Sequence, residues 1–153
     1  MRAGLFIGWS LLVFLGLNLL DTRSATALEE VHYTPGSPFV FDPVAGNPNQ
    51  NFGTVDVQSD NANGWNLQVR SLNHSALKSA TSNDTINYTL TVDGASVDLA
   101  AGNDATAKTT ATLTCNQPGV CHYPVLGTIG AGAIDGKPAG AYTDTLIFTI
   151  TSQ

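Results

Sequence analysis

The chain has 153 residues, and its 6 basic residues against 12 acidic ones give a net charge of −6. A length of this order fits a single domain. The acidic balance excludes binding to a nucleic-acid backbone through a basic stripe, and it disfavours an anionic membrane surface as a partner. Charged residues make up 12% of the chain, about half the usual share, so the surface must be built mostly from uncharged polar side chains.

The first 27 residues have the pattern of an export signal. Arg2 supplies a positive charge, Leu5–Leu20 is a nearly unbroken apolar run, and Ala25-Thr26-Ala27 has the small residues of a cleavage site. The pattern predicts a signal peptide over 1–27, with cleavage before Leu28. The alternative is an uncleaved membrane anchor, although an apolar run of 16 residues is short for a span of about 20.

Residues 28–153 form the predicted domain, and apolar residues there alternate with polar ones, as in half-buried strands. The predicted strands, in chain order, are 39–41, 52–59, 65–70, 86–92, 97–99, 111–115 and 142–151. The one stretch of helical character, Ser75–Ala80, is too short to be stable alone. The sequence therefore predicts an all-β fold, an Ig-like antiparallel β-sandwich of about seven or eight strands.

Turn-forming residues separate these runs. Asp60–Gly64 is rich in residues that tolerate positive φ, and Asp93-Gly94 predicts a tight hairpin between its flanking strands. Gly127–Gly140 predicts a long connection. The oxygen atoms of the first turn could suit Ca²⁺, but the EF-hand pattern is absent, which favours a plain turn.

The only two cysteines, Cys115 and Cys121, flank a Pro-Gly turn dipeptide. In an exported chain they are expected to form a disulfide that ties a hairpin across its base. A closed loop of about seven residues limits its contribution to roughly 2 kcal/mol. A redox or metal pair is disfavoured, because there is neither a CxxC spacing nor a second cysteine pair.

No constellation of catalytic, metal-binding or cofactor-binding residues stands out, so we expect no enzyme, no cofactor and no metal. His32, His74 and His122 lack metal-ligand spacing, and the chain has no nucleophile elbow, P-loop or dinucleotide fingerprint. The remaining enzymatic hypothesis is a hydrolase, which would require Asp56 and Asp144 to converge in one pocket.

Near the end of the chain, Ala139-Gly140-Ala141-Tyr142-Thr143-Asp144-Thr145 leads into an alternating strand. This resembles subunits of archaic chaperone–usher pili and proteins of the spore coat protein U type. Gly53–Ser59 followed by Gly64-Trp65-Asn66-Leu67 has a weaker similarity to WxL-type domains. Together these segments cover about a third of residues 28–153.

The resemblance implies an incomplete sandwich whose open groove accepts a strand from the next subunit. The donor would be the mature N-terminus, Leu28–Pro35. The alternative is a complete sandwich whose N-terminal segment pairs with its own sheet.

The leading functional prediction is a secreted or cell-surface structural or adhesive protein, a pilus or coat subunit assembling by strand complementation. It would reach the exterior through the periplasm in a Gram-negative cell. Its expected partners are copies of itself or other surface subunits, with no nucleic acid and no stable membrane span after cleavage. The alternative is a carbohydrate- or cell-wall-binding module with a self-complete sandwich, in which an exposed Trp65 or Tyr123 would stack on sugars. The alternation of its strand favours a core position for Trp65 instead.

Overall fold

The computed structural model describes residues 28–42, 44–116 and 119–153. The predicted signal peptide, residues 1–27, lies outside them. Within these ranges no helix is found that could cross a membrane. The described residues form eleven strands: β1 (Glu29–Pro35), β2 (Asn47–Ser59), β3 (Trp65–Ser71), β4 (Ala76–Ser79), β5 (Thr85–Asn87), β6 (Thr89–Val92), β7 (Ala95–Val97), β8 (Ala105–Thr109), β9 (Cys121–Ile129), β10 (Tyr142–Thr143) and β11 (Leu146–Ser152).

The strands form two antiparallel layers, which confirms the predicted all-β sandwich. One layer is a five-stranded sheet in the order β1-β2-β9-β6-β7. The other consists of two three-stranded sheets, β11-β3-β8 and β10-β4-β5. Only a few residues separate β3 from β4 and β10 from β11, so the two smaller sheets continue one another along the second layer.

The core lies between the layers and follows the period of two read from the sequence. Every second residue of the central strands is buried, and each fully buried aliphatic side chain stabilises the fold by roughly 1.5–3 kcal/mol. The fully inaccessible members are Val55, Val57, Trp65, Leu67, Val69, Leu90, Val92 and Val125. The predicted strand 52–59 therefore appears as the C-terminal part of β2, and the predicted strand 65–70 as nearly the whole of β3.

Several predicted strands are interrupted, which raises the strand number above seven or eight. The run 86–92 divides into β5 and β6 at Tyr88, and the run 142–151 divides into β10 and β11 at Asp144. The Asp93-Gly94 hairpin is confirmed, because both residues have positive φ and β6 pairs with β7 across them. Ser75–Ala80, the stretch of helical character, contributes the strand β4.

The predicted strand over 111–115 is wrong. The strand in this region is β8, Ala105–Thr109, and the chain from Thr110 to Asn116 is irregular. Cys115 adopts a left-handed conformation with a φ of 59°, which is incompatible with a strand. The sequence hides β8 because its inward residue, Ala107, is small and gives a weak apolar period.

The predicted strand over 39–41 is also wrong. Residues 36–42 belong to no strand, although residues 39–42 alternate between half-buried and exposed. Phe39 and Phe41 are half-buried against the core, whereas Val40 is 90% exposed.

The N-terminal segment belongs to its own sandwich. β1 pairs with β2 along its whole length, from Glu29 opposite Ser59 to Pro35 opposite Gly53. Val31 and Tyr33 alternate towards the core. Of the two arrangements considered for this segment, the structure therefore has the one in which it completes its own sheet.

Candidate functional site

The two layers meet along a seam between the edge strands β1 and β11. The rings of Tyr33 and Phe148 lie 4.9 Å apart across this seam, and the Ser152 hydroxyl donates to the Glu29 carboxylate. Within the described residues, no ladder of backbone hydrogen bonds joins β1 to β11. The seam is thus closed by side chains, and it leaves one backbone edge of each strand without a strand partner among these residues.

At one end the seam widens into an apolar cavity of about 780 Å³, which we call the seam cavity. It lies between the segment Pro35–Phe41, which begins at the last residue of β1, and the segment Gly140–Leu146, which includes β10. Its walls carry six aromatic side chains: Tyr33, Phe39, Phe41, Phe52, Tyr88 and Tyr142.

The aromatic rings of the seam cavity pack on one another in a continuous chain. Phe39 stacks on Phe52 at 6.1 Å, and Phe41 meets Tyr142 edge-on at 6.0 Å. Phe52 in turn lies 5.1 Å from Tyr88. Aromatic pairs at these centroid separations add stabilisation beyond the area they bury, so the residues of 36–42 are held chiefly by their rings.

Gly127 lies beneath this cluster, where the absence of a side chain leaves room for the Phe52 ring. A Cβ atom at this position would overlap the ring of Phe52. The absence of a side chain at Gly127 therefore sets the depth at which the Phe52 ring sits in the wall of the seam cavity.

Asp144 is the polar centre of the site. Its carboxylate accepts hydrogen bonds from the Ser71 hydroxyl and the Tyr88 hydroxyl, both at 2.6 Å, and from the backbone N–H groups of Asn73 and Thr145. Ser71 and Tyr88 are themselves buried. This network joins β10, β11, β3 and the β5–β6 junction at the floor of the seam cavity.

Asp144 was not predicted to be a hydrogen-bond acceptor at the seam cavity, although its position in the last strand indicates one. The even-numbered residues of 142–151 face inward, as predicted from Tyr142, Leu146 and Phe148. A carboxylate at position 144 on that apolar face has to find hydrogen-bond donors.

Burial raises the pKa of the Tyr88 phenol above its usual value, and the neighbouring Asp144 carboxylate raises the pKa further. The unfolded chain ionises this tyrosine near pH 10, whereas the folded chain keeps it neutral. The stability it contributes is therefore present below pH 10 and is lost above it, by about 1.4 kcal/mol per pH unit. We expect the free energy of unfolding to fall less steeply between pH 10 and 11 in Tyr88→Phe than in the unmutated chain. Urea titrations at each pH measure the free energy of unfolding. An equal fall between pH 10 and 11 in the two chains would contradict the expectation.

The two cysteines lie away from the seam cavity. Cys115 and Cys121 are joined by a disulfide with their Cα atoms 5.1 Å apart, and the buried Cys115 Sγ lies 3.5 Å from the Tyr123 hydroxyl. The bridge ties an irregular loop to the start of β9 and does not span a hairpin, because 111–115 forms no strand.

Replacing both cysteines by alanine is expected to lower the free energy of unfolding by roughly 2 kcal/mol, because the unfolded chain regains the entropy of a short loop. Urea unfolding of the oxidised chain and of the Cys115→Ala/Cys121→Ala variant gives the value. A difference near zero would contradict the expected stabilisation by the bridge.

The structure separates the two carboxylates of the hydrolase hypothesis. Asp56 lies on β2, where its carboxylate is 2.7 Å from the Nδ1 atom of His122. Asp56 does not line the seam cavity, whereas Asp144 does. Among the residues described, no group of three or more His, Cys, Asp or Glu side chains could hold a metal ion. In the Asp60–Gly64 turn, the Asp60 carboxylate accepts from the Leu28 N–H, and the Asn61 side chain accepts from the Asn63 N–H.

The proposed sugar-stacking role of Trp65 and Tyr123 is wrong. Trp65 is fully buried, and its Nε1 donates to the Thr114 carbonyl at 3.3 Å. Tyr123 is buried as well, with its ring 6.1 Å from that of Trp65. Both residues belong to the core and present no ring face to solvent.

No protein-family model matches this chain, and no curated protein matches its sequence. Among solved structures, the chain is similar to HdaB, the minor tip subunit of the E. coli Hda pilus. The superposition covers 80% of this chain and 79% of that chain, with a TM-score of 0.44 and 8% sequence identity.

Proposed function

We propose that this chain is a structural subunit of the cell exterior that associates with other chains by strand complementation at the seam. The observation that carries the proposal is that β1 and β11 lie side by side without backbone pairing, and that the seam between them opens into the seam cavity. An edge strand presents a row of backbone donors and acceptors that a further strand can pair with.

The composition of the cavity suits an inserted strand. An extended peptide that pairs with a sheet edge places every second side chain on the same face. In the seam cavity that face would meet the aromatic walls and Leu146 of β11. Backbone pairing would then supply affinity, and the apolar cavity would select the inserted side chains.

Two further observations support the proposal. The C-terminal segment 139–151 resembles that of archaic chaperone–usher pilus subunits, in which such assembly is expected. The disulfide between Cys115 and Cys121 suits an oxidising compartment, so we place the protein in the periplasm, at the cell surface or outside the cell.

The N-terminal segment Leu28–Pro35 can donate a strand only after leaving its own sheet. Because β1 is paired with β2 along its whole length, donation would break that ladder. A strand from another chain can enter the seam without this cost, which favours an incoming segment other than β1.

The association is tested by sedimentation velocity of the purified chain over a range of concentrations. We expect concentration-dependent oligomers in the unmutated chain and their loss in Leu146→Arg, which places a charge in the seam cavity. The matched control is Thr149→Arg, on the exposed face of the same strand. A chain that stays monomeric throughout, or equal association in both variants, would overturn the proposal.

A carbohydrate- or cell-wall-binding module is the second candidate. It is favoured by the pairing of β1 with its own sheet and by the aromatic walls of the seam cavity, where Tyr142 is only half-buried. Retention on immobilised peptidoglycan or glycans that is lost in Tyr142→Ala would support it, and an absence of retention would remove it.

A further inference from the structure

The segment Ser37–Asp42 lies over the seam cavity in an arrangement that imitates an inserted strand. Phe39 and Phe41 both point into the aromatic cluster, and Val40 between them is 90% exposed. This i, i+2 spacing is the spacing with which a strand fills one face of a groove.

The segment is held at its ends and by its rings. The Gly36 N–H donates to the Phe52 carbonyl at 2.7 Å, and the side chain of Asn47 bonds to the Asp42 N–H and to the Val40 carbonyl. Between these anchors, the backbone N–H groups of Phe39, Val40 and Phe41 donate to no backbone group in the described residues. Moving the segment aside would therefore break no ladder.

The outer face of this segment carries an apolar side chain. Val40, between Phe39 and Phe41, is 90% exposed. A short segment that is apolar on both faces is typical of a strand buried on both sides. Ser37–Asp42 thus has the composition of a buried strand without the pairing of one.

Resting on the strand-complementation function argued above, we propose that Ser37–Asp42 is a resident plug of the seam cavity that an incoming strand displaces. The incoming strand carries two bulky apolar or aromatic side chains at i and i+2, which take the places of Phe39 and Phe41. In the unassociated chain the plug forms one wall of the seam cavity, and it discriminates against strands that offer smaller or polar side chains there.

The test uses a fluorescent peptide with the sequence of residues 36–42 and measures its binding to the full chain by anisotropy. The affinity for a closed site is reduced by the fraction of chains in which the site is open. We expect the Phe39→Ser/Phe41→Ser variant to bind the peptide about tenfold more tightly than the unmutated chain. Val40→Ser, the control within the same segment, should bind like the unmutated chain, and a peptide with both Phe residues replaced by Ser should bind neither.

The outcomes distinguish a failure of the plug proposal from a failure of the strand-complementation proposal. Equal affinity of the unmutated chain and the double variant would overturn the plug, while Leu146-dependent sedimentation would still support strand complementation. A second measurement needs no variant of the plug. In the unmutated chain labelled with fluorophenylalanine, saturating peptide should move the ¹⁹F resonances of Phe39 and Phe41 to solvent-exposed positions. Resonances that stay in place while the peptide is bound would also overturn the plug.

Discussion

Asp144→Ala is expected to lower the free energy of unfolding by roughly 3 kcal/mol. The carboxylate is the acceptor for the hydroxyls of Ser71 and Tyr88, which are buried and would be left without it. Each unsatisfied buried donor costs about 1–3 kcal/mol, whereas the deleted side chain itself is small. Asp144→Asn keeps one oxygen acceptor, so its loss should be clearly smaller.

Urea unfolding monitored by tryptophan fluorescence measures this loss. The matched control is Asp104→Ala, since Asp104 lies 3.8 Å from Arg70 in an exposed ion pair, which is worth at most about 1 kcal/mol. If Asp144→Ala proved no more costly than Asp104→Ala, the buried network would not hold the floor of the seam cavity.

Trp65→Ala is expected to cost roughly 4 kcal/mol, the range found when a large buried aromatic side chain is truncated. Trp65 is fully inaccessible, packs on Tyr123 and donates to the Thr114 carbonyl, so its removal leaves both a cavity and an unpaired carbonyl. Leu72→Ala is the control, because Leu72 is 53% exposed and should change stability by less than about 0.5 kcal/mol. Urea titrations followed by circular dichroism, which does not depend on the deleted tryptophan, measure both variants, and similar losses would contradict the placement of Trp65 at the centre of the core.

The parts of the fold that could be predicted are those whose inward side chains are large. β2 and β3 alternate Val, Trp and Leu with polar residues, and the structure buries the predicted set. The faces of the last strand are also confirmed, with Leu146, Phe148 and Ile150 inward and threonines outward. In these segments a period of two is forced by one buried face.

Prediction failed where the inward residues are small or the backbone departs from a strand. β8 offers only Ala107 as its buried residue, so its apolar period is weak. The aromatic run at 39–41 has the composition of a strand, but no strand of the described residues pairs with it. Pairing depends on distant parts of the chain, which a local pattern does not contain.

The seam cavity could not be predicted because its parts are remote in sequence. Asp144 bonds to Ser71 and Tyr88 across separations of 73 and 56 residues. The inward position of Asp144 within an apolar strand face indicates a need for donors, but it does not identify them. The opening between β1 and β11 is likewise a property of how two sheets meet, since each strand alone has an ordinary pattern.

The central claim is that association fills the seam between β1 and β11, and backbone hydrogen exchange of the associated chain tests it most directly. The account predicts that amides along the seam-facing edge of Tyr142–Ser152 exchange more slowly in the oligomer than in the Leu146→Arg monomer, while those of β7, at the opposite edge of the five-stranded sheet, are unchanged. Slower exchange along β7 with no change along Tyr142–Ser152 would contradict it.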